Sequence, residues 1–534
     1  MKNRKKIVTL LFMGVLASTT VLNIFGGYTP GTIPSVVHAQ EIGTDEEVYS
    51  ASQGSFADVE AGKYYYRPVY WAVENNVTNG TGTAIFSPDN HCSRSQTVTF
   101  LWRIAGEPEP DSLDTGFADV VSDSFYEKAV AWAVENGITK GKNSSSFDPE
   151  GICSRSEFVT FLHRAAGTPD PHGSGGGFGD VVSGSFYEKA VIWAVENGVT
   201  TGTGANSFSP GKICTRAEVV TFLHRWRTTL NVQECGANPN DGVDDTDAIN
   251  SAIDRVVDDD SLETVYLPAG IYVVNAEPGI KMKSNTSLLM ASNAVLDVRG
   301  NSQERYNVIR ARDSENISIS GGQIRGERDK HTGSGGEWGM GIGLYDCRNV
   351  TISNVKISKN WGDGIYVGST NDFGDDLYGC DTIRIENCEI FENRRSNISI
   401  VNADNVTIDN CKISNAGGAA PQCGINIEAN TDDNGMVPDE AICRNIRITN
   451  TTVDVLGKDD ANGQFFCFRT QRYRDRSIYT ADNVIIENCT FNGDCGNYSG
   501  NNMTISNTVI RGCFYDMQNT DTSNNVFCDS TYIF

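Results

Sequence analysis

Two tryptophans, Trp338 and Trp361, each open a W-G-x-G-I phrase, and the five residues differ only in Met340 against Asp363. The second phrase starts 23 residues after the first (361 − 338 = 23). Near them in sequence lie Glu337, the guanidinium pair Arg394 and Arg395, and His331, the only histidine after residue 227. Two carboxylates across one acetal bond suit acid–base hydrolysis, about 5 to 5.5 Å apart for retention and about 6.5 to 9.5 Å for inversion. A base beside guanidinium groups suits proton abstraction next to a carboxylate, with the cations stabilising the enolate-like charge. Indole faces, flat and apolar, are platforms for pyranose rings. The candidate catalytic set is therefore Asp363, Glu337, His331, Arg394 and Arg395, with Trp338 and Trp361 as substrate platforms.

These residues share a site only if distant stretches become neighbours, and a repeating phrase supplies the means. "NVTISNVKI" from Asn349, "DTIRIENCEI" from Asp381, "NVTIDNCKI" from Asn405, "NIRITNTTV" from Asn445 and "NVIIENCTF" from Asn483 each alternate apolar and polar residues through one short strand. Each then places an asparagine (Asn354, Asn387, Asn410, Asn450, Asn488) and resumes a strand. Asparagine tolerates the left-handed corner, and its amide can bond the next asparagine in a stack. The pattern predicts an all-β solenoid, a right-handed parallel β-helix whose equivalent residues lie about 4.8 Å apart from coil to coil. In that frame Trp338, Trp361 and Arg394 form one column, Gly339, Gly362 and Arg395 the next, and Met340, Asp363 and Ser396 a third. Glu337 and Asp363 then fall roughly 8 to 10 Å apart.

Two insertions flank this corner. Residues 325–337 carry Glu327, Arg328, His331 and Glu337, while 369–380 carry Asp372, Asp375 and Asp376. With Asp363, Asp375 and Asp376 form a candidate Ca²⁺ site for a lyase; no other cofactor is indicated. Farther on, Glu428 ends a strand and Arg469 falls in roughly the same column of the following coil, so both are candidate substrate contacts. The basic stretch with Arg472, Arg474 and Arg476 follows. The plain alternative is that the aromatics pack the corner and the acid and arginines form a surface ion pair of small value.

At 534 residues more than one domain is expected. "MKNRKK", an apolar run and "VHA" ending at Ala39 read as an export signal (1–39), followed by a linker (40–55). No later run is long enough to span a membrane. The formal charge of −25 argues against nucleic acid as a partner. Most of the 15 cysteines occupy repeat positions where a small core residue serves, so reduced thiols are expected, with Cys489–Cys495 or Cys388–Cys411 as alternatives for a bridge. No Cys/His cluster has zinc-ligand spacing.

The N-terminal half holds a second repeat. "FADVEAG" begins at Phe56, "FADVVSD" at Phe117 and "FGDVVSG" at Phe178, each followed by a helical W-A-V-E-N stretch and then by "CSRSQ", "CSRSE" or "CTRAE". The first helix of each unit stops at Asn76, Gly137 or Gly198, residues that accept the left-handed position after a helix. The second opens on a capping box: Ser93 with Gln96, Ser154 with Glu157, Thr215 with Glu218. That places Arg94, Arg155 and Arg216 in a first helical turn, against the macrodipole, and suggests that arginine and helix N-terminus together attract an anion.

Residues 56–227 resemble the S-layer homology domains through F-x-D-V, W-A-V-E-N-G, the G-T-G-type loop and [ST]-R-[AS]-[EQ]. The resemblance implies a helical assembly of three domains (56–106, 117–167, 178–227) that holds an exported protein noncovalently on secondary cell-wall polysaccharide, often an anionic glycan. It also implies glycan contacts at Arg94, Arg155 and Arg216 and at the loop glycines Gly80, Gly82, Gly141, Gly202 and Gly204. Unit one departs from the pattern with "YYYRPVY" and with Gln96. Residues 228–534 resemble the pectin-lyase-like superfamily through "GANPNDGVDDTDAINSAI", "VYLPAGIY" and the N-V-x-I-x-N repeats, which implies the β-helix. The polygalacturonase G-H-G and R-I-K motifs and the alginate-epimerase D-P-H motif are missing, and fold alone does not license a reaction. The expectation is a wall-anchored surface protein whose β-helix binds and cleaves a polysaccharide, by hydrolysis or elimination; the alternative is a noncatalytic adhesin.

Overall fold

The computed structural model describes residues 56–534 apart from 172–177, 205, 371–378, 431–440, 456–464, 472–478, 519, 524, 528–531 and 534. The expected export signal and linker, Asp372, Asp375 and Asp376, and Arg472, Arg474 and Arg476 lie outside the described residues.

Each N-terminal repeat contributes two helices: α1 (Tyr66–Glu74) and α2 (Arg94–Ile104), α3 (Glu127–Glu135) and α4 (Arg155–Ala165), α5 (Glu188–Glu196) and α6 (Arg216–Thr228). Asn76, Gly137 and Gly198 follow the first helices with positive φ, and all three expected capping boxes form at the second. The units close into a ring. The Cys92 amide donates to the Cys214 carbonyl, Cys153 to Cys92 and Cys214 to Cys153, each at 3.0 Å. All three thiols are fully buried, so only a small side chain fits at this closure.

The three arginines serve the same closure, which corrects the expected use of the helix N-termini. The amides of Arg94, Arg155 and Arg216 donate to Gly151, Lys212 and Asn90 of the next unit, and the amides one residue on donate to Pro149, Pro210 and Pro88. With the N-cap hydroxyl taking the third donor, no helix N-terminus is left to hold an anion. Each guanidinium is 2–3% exposed and bonds through Nε to Phe147, Phe208 or Phe86 of the next unit. Each also lies between two phenylalanine rings, as Arg155 does between Phe208 (4.9 Å) and Phe222 (5.0 Å). Arg94 and Arg155 reach Glu157 (3.1 Å) and Glu218 (3.8 Å), while at the third joint Gln96 stands in place of the glutamate.

The helix α6 runs without a linker into the strand Thr229–Asn231, which pairs in parallel with Thr264–Leu267 and begins an eleven-stranded sheet. Two further ten-stranded sheets start at Gly270–Val274 and Ile280–Lys281. Successive coils add one strand to each sheet, all in parallel, as a right-handed β-helix. An amphipathic helix, α7 (Thr246–Asp258), follows, and its buried face of Ile249, Ala252, Ile253 and Val256 covers the open end of the first coil. Inside, isoleucines stack rung upon rung: Ile309, Ile342, Ile365, Ile398 and Ile425 are register partners in sequence and all fully buried.

The asparagine corners follow the expectation. Asn354, Asn387, Asn410, Asn450 and Asn488 all have φ between 50° and 57°. Side-chain amides pass from coil to coil, as from Asn410 to Asn387 (2.7 Å) and from Asn483 to Asn445 (2.7 Å). The 14 described cysteines are free thiols, all buried except Cys235 and Cys513, which are half-buried. No helix among the described residues is long and apolar enough to cross a membrane.

Ring and β-helix share an ion cluster. Glu263, at the start of the second strand of the eleven-stranded sheet, accepts from Arg67 of α1 (2.8 Å) and lies 3.0 Å from His224 of α6. Burial opposes its charge, but His224 and Arg67 hold the carboxyl down at about 2, against an ordinary 4.5. A depressed carboxylate contributes stability that is present above the ordinary value and is lost as pH falls through the depressed one. Unfolding free energy measured with urea should therefore fall by about 3 kcal/mol between pH 4.5 and 2 on account of this group, and Glu263→Gln should remove that part of the pH dependence.

Candidate functional site

The predicted corner exists, and its register is as expected. Ile342 faces Ile365 and Ile365 faces Ile398, which keeps Trp338, Trp361 and Arg394 at equivalent places in three consecutive coils. The side chains do not all turn the expected way. In the strand Trp338–Tyr345 six consecutive residues from Gly339 to Leu344 are buried, so the simple alternation fails at the corner. Met340, Asp363 and Ser396 form an inward column, and Asp363 is fully buried. Its carboxylate accepts from Arg395 (2.9 Å) and from the Ser396 amide (2.8 Å). Burial pushes this carboxyl above the ordinary range despite the guanidinium beside it. Asp363 therefore cannot reach a polysaccharide on the surface, and the expected pair of Asp363 with Glu337 is corrected to a buried ion pair beneath an exposed acid.

Trp361 is likewise not an open platform. His331 stacks on one face (3.7 Å between centroids, 12° between planes), and the Arg394 guanidinium lies 3.8 Å from the ring centroid. The indole N–H donates to the Gly335 carbonyl (3.0 Å), and Arg394 donates to Gly336 (2.7 Å) and to Trp361 (3.3 Å). These bonds pin the insertion over the corner. His331 is held from behind, its Nδ1 2.9 Å from Glu327, which also accepts from the Tyr306 hydroxyl. Burial and the neighbouring Glu327 push the Tyr306 phenol well up. Burial of Arg394 lowers its affinity for its proton.

Arg395 organises what remains accessible. Besides Asp363 below, it donates to Glu428 (3.0 Å) and lies 3.8 Å from Glu337. Burial opposes its charge, but Asp363, Glu428 and Glu337 together hold it above the ordinary arginine value. Glu337 and Glu428 are both partly exposed, as is Trp338 at 40%. Arg469 is opposite Asn426, not Glu428, and donates to the Asn426 side chain (2.8 Å), which in turn donates to Glu428. The loop aspartates Asp375 and Asp376 lie outside the described residues, and Asp363 is fully buried. No group of three or more His, Cys, Asp or Glu among the described residues is placed to hold a metal ion.

Glu327 as the partner of His331, and Tyr306 as the partner of Glu327, escaped the sequence reading. Gly339 offered a signal for the tyrosine: a Cβ there would sit 2.5 Å from the Tyr306 ring, so the glycine marks a large side chain beneath it. Nothing local marks Glu327, because its contacts depend on the insertion folding back.

The S-layer homology domain matches residues 55–98, 116–159 and 177–220, and the right handed beta helix region matches 271–439. YclG of Bacillus subtilis (strain 168) is 38% identical over 224 residues, covering 37% of this chain and 38% of YclG. S-layer protein EA1 of Bacillus anthracis is 26% identical over 181 residues, covering 33% of this chain and 20% of EA1. Both matches thus span well under half of the relative's length. Among solved structures, the tailspike protein gp49 of Acinetobacter baumannii bacteriophage Fri1, a capsular polysaccharide depolymerase, shares 15% identity over 56% of this chain and 57% of that one, with a TM-score of 0.39.

The two acids of the original pair should now behave differently. Asp363→Ala strips a buried guanidinium of its deepest partner and should cost about 3–5 kcal/mol in urea unfolding. Glu337→Ala, at the rim, should stay within about 0.5 kcal/mol of wild type.

Proposed function

Because the chain carries three S-layer homology domains ahead of a right-handed β-helix, we propose that it is held noncovalently on secondary cell-wall polysaccharide by the helical ring and presents the β-helix as a polysaccharide-binding module. The domains and the S-layer relatives make it a cell-surface, cell-wall-associated protein. In this proposal residues 1–39 direct export, 40–55 link, 56–106, 117–167 and 178–227 form the anchor, and 228–534 are the presented domain. The observation that carries it is the closed ring with three equivalent joints, each placing an arginine beside the glycine-bearing loop of the next unit. Glycan contact through Arg94, Arg155 and Arg216, with Gly80, Gly82, Gly141, Gly202 and Gly204, would in this reading require each joint to open, because every guanidinium is held on a carbonyl of the next unit. A Cβ at Gly204 would meet nothing within 4 Å and one at Gly82 would only touch Ile85 at 3.9 Å, whereas Gly80, Gly141 and Gly202 have positive φ and press on Phe56, Phe117 and Phe178. The joint of Arg216, with Gln96 in place of a glutamate, offers an anionic glycan the least competition. The full chain should pellet with purified cell wall and stay in solution once the secondary polysaccharide has been stripped from that wall; pelleting with stripped wall would overturn the anchor.

A cleaving role is a second reading, favoured by Glu337 and Glu428 both being partly exposed beside the Arg395 guanidinium, at 3.8 Å and 3.0 Å. One would protonate the leaving oxygen and the other activate water or attack the sugar. Trp338 would carry a ring beside them, with Arg469 holding Glu428 through Asn426. His331 and Arg394 support the wall of this site, and elimination would need the insertion to lift His331 from Trp361. New reducing ends without ultraviolet-absorbing unsaturated ends, lost in both Glu337→Gln and Glu428→Gln, are the result expected of hydrolysis. Undiminished cleavage by either variant would remove the pair from the chemistry.

A further inference from the structure

Most cysteines of the β-helix fall into two buried columns, and their neighbours within a column differ. The strand pairs beside them set one column as Cys347, Cys380, Ala403, Cys443 and Ala481. The other reads Val355, Cys388, Cys411, Thr451, Cys489 and Thr508. Two pairs therefore stand on consecutive coils, Cys347 with Cys380 and Cys388 with Cys411, whereas Cys443 lies between alanines and Cys489 between threonines. Alanine and threonine fill the same buried positions on other coils, so size alone does not call for sulfur at both members of a pair.

Coil stacking sets their spacing. Register partners on adjacent parallel strands lie about 4.8 Å apart at Cα, inside the roughly 4.4 to 6.8 Å that a disulfide spans. The amides of Asp381 and Lys412 donate to the Cys347 and Cys388 carbonyls (2.9 and 2.8 Å), and the Cys347 amide donates to the Cys380 sulfur (3.4 Å). Within each pair the thiols also bond to each other. Cys347 and Cys388 accept that bond, which holds them below the ordinary thiol value and makes them the readier thiolates. Cys467 and Cys495 touch as well, but across a register shift that sets Cys495 opposite Phe468. The two in-register pairs have a place in common: Cys347 shares a coil with Trp338, Cys380 and Cys388 share one with Trp361, and Cys411 shares one with Arg394.

We propose that Cys347 with Cys380, and Cys388 with Cys411, are oxidation sites that close into disulfides between consecutive coils and staple together the three coils of the tryptophan corner. The structure shows their reduced form. The oxidant is a small-molecule disulfide, met outside the reducing cytosol where a wall-associated chain resides. Cys347 or Cys388, as thiolate, attacks one sulfur of that disulfide and expels one thiol, leaving a mixed disulfide; its partner then attacks the protein-side sulfur and expels the second. Each bridge takes two electrons and two protons from the protein thiols, and one small disulfide becomes two thiols. All four sulfurs are buried, so the exchange belongs to the winding of the coils, and packing then shields the bond from reductants.

Refolding the full chain from urea in mixed oxidised and reduced glutathione, then alkylating it and mapping its peptides by mass without reduction, tests this. Cross-linked peptides joining Cys347 to Cys380 and Cys388 to Cys411 should appear, with Cys443 and Cys489 alkylated. The thermal midpoint should exceed that of chain refolded in reduced glutathione alone by at least about 3 °C. Cys380→Ser combined with Cys411→Ser should show no such difference between its own two preparations, and the wild-type map decides the pairing even where that variant does not fold. Alkylated or glutathione-capped sulfurs at all four positions, in chain with an unchanged circular dichroism spectrum, would overturn the proposal, as would bridges to Cys443 or Cys489. Bridges without a rise in midpoint would overturn the stapling.

Discussion

Parallel backbone pairing between successive coils, kept in register, is the constraint on which the C-terminal half depends. Partners in that pairing are separated by 23 residues at Ile342 and Ile365, 33 at Ile365 and Ile398, 27 at Ile398 and Ile425 and 43 at Ile425 and Phe468. The inner columns do not register this variation, because all of it is absorbed in the insertions. Left-handed asparagines make that possible by turning the chain at the same points of every coil and tying each corner to the next through their amides. Any surface feature of the β-helix is consequently a column or a loop set upon columns.

The ring obeys a cyclic version of the same rule. Each unit leaves donors unsatisfied at the start of its second helix, and each finds its acceptors in the next unit, so three copies close where two could not. An arginine at the first helical position, unfavourable for an isolated helix, becomes favourable once its Nε meets a carbonyl of the neighbour and its plane lies between two rings. Unit three closes onto unit one by the same bonds, although the first unit lacks the glutamate.

Much of this was legible in the sequence because it is local and periodic. Capping boxes, the residues after helices, the strand phrases and the asparagine corners each reside within a few residues, and the tryptophan interval disclosed the coil. Asp363 stands two residues before the inward Ile365, so alternation carried back through the corner turns it inward; the sequence reading placed it at a corner outside the strand and so took it for a surface acid. The cover over Trp361 was hidden for another reason: His331 reaches it only because the insertion folds back and is tied by Gly335 and Gly336 carbonyls.

The direct passage of α6 into the first strand, with Glu263 gripped by side chains of α1 and α6, has a mechanical consequence. A slack tether would let the solenoid swivel and would dissipate a pull from outside. Here the solenoid is a stiff lever rooted in the ring, so shear applied at its distal end arrives at the three joints as torque.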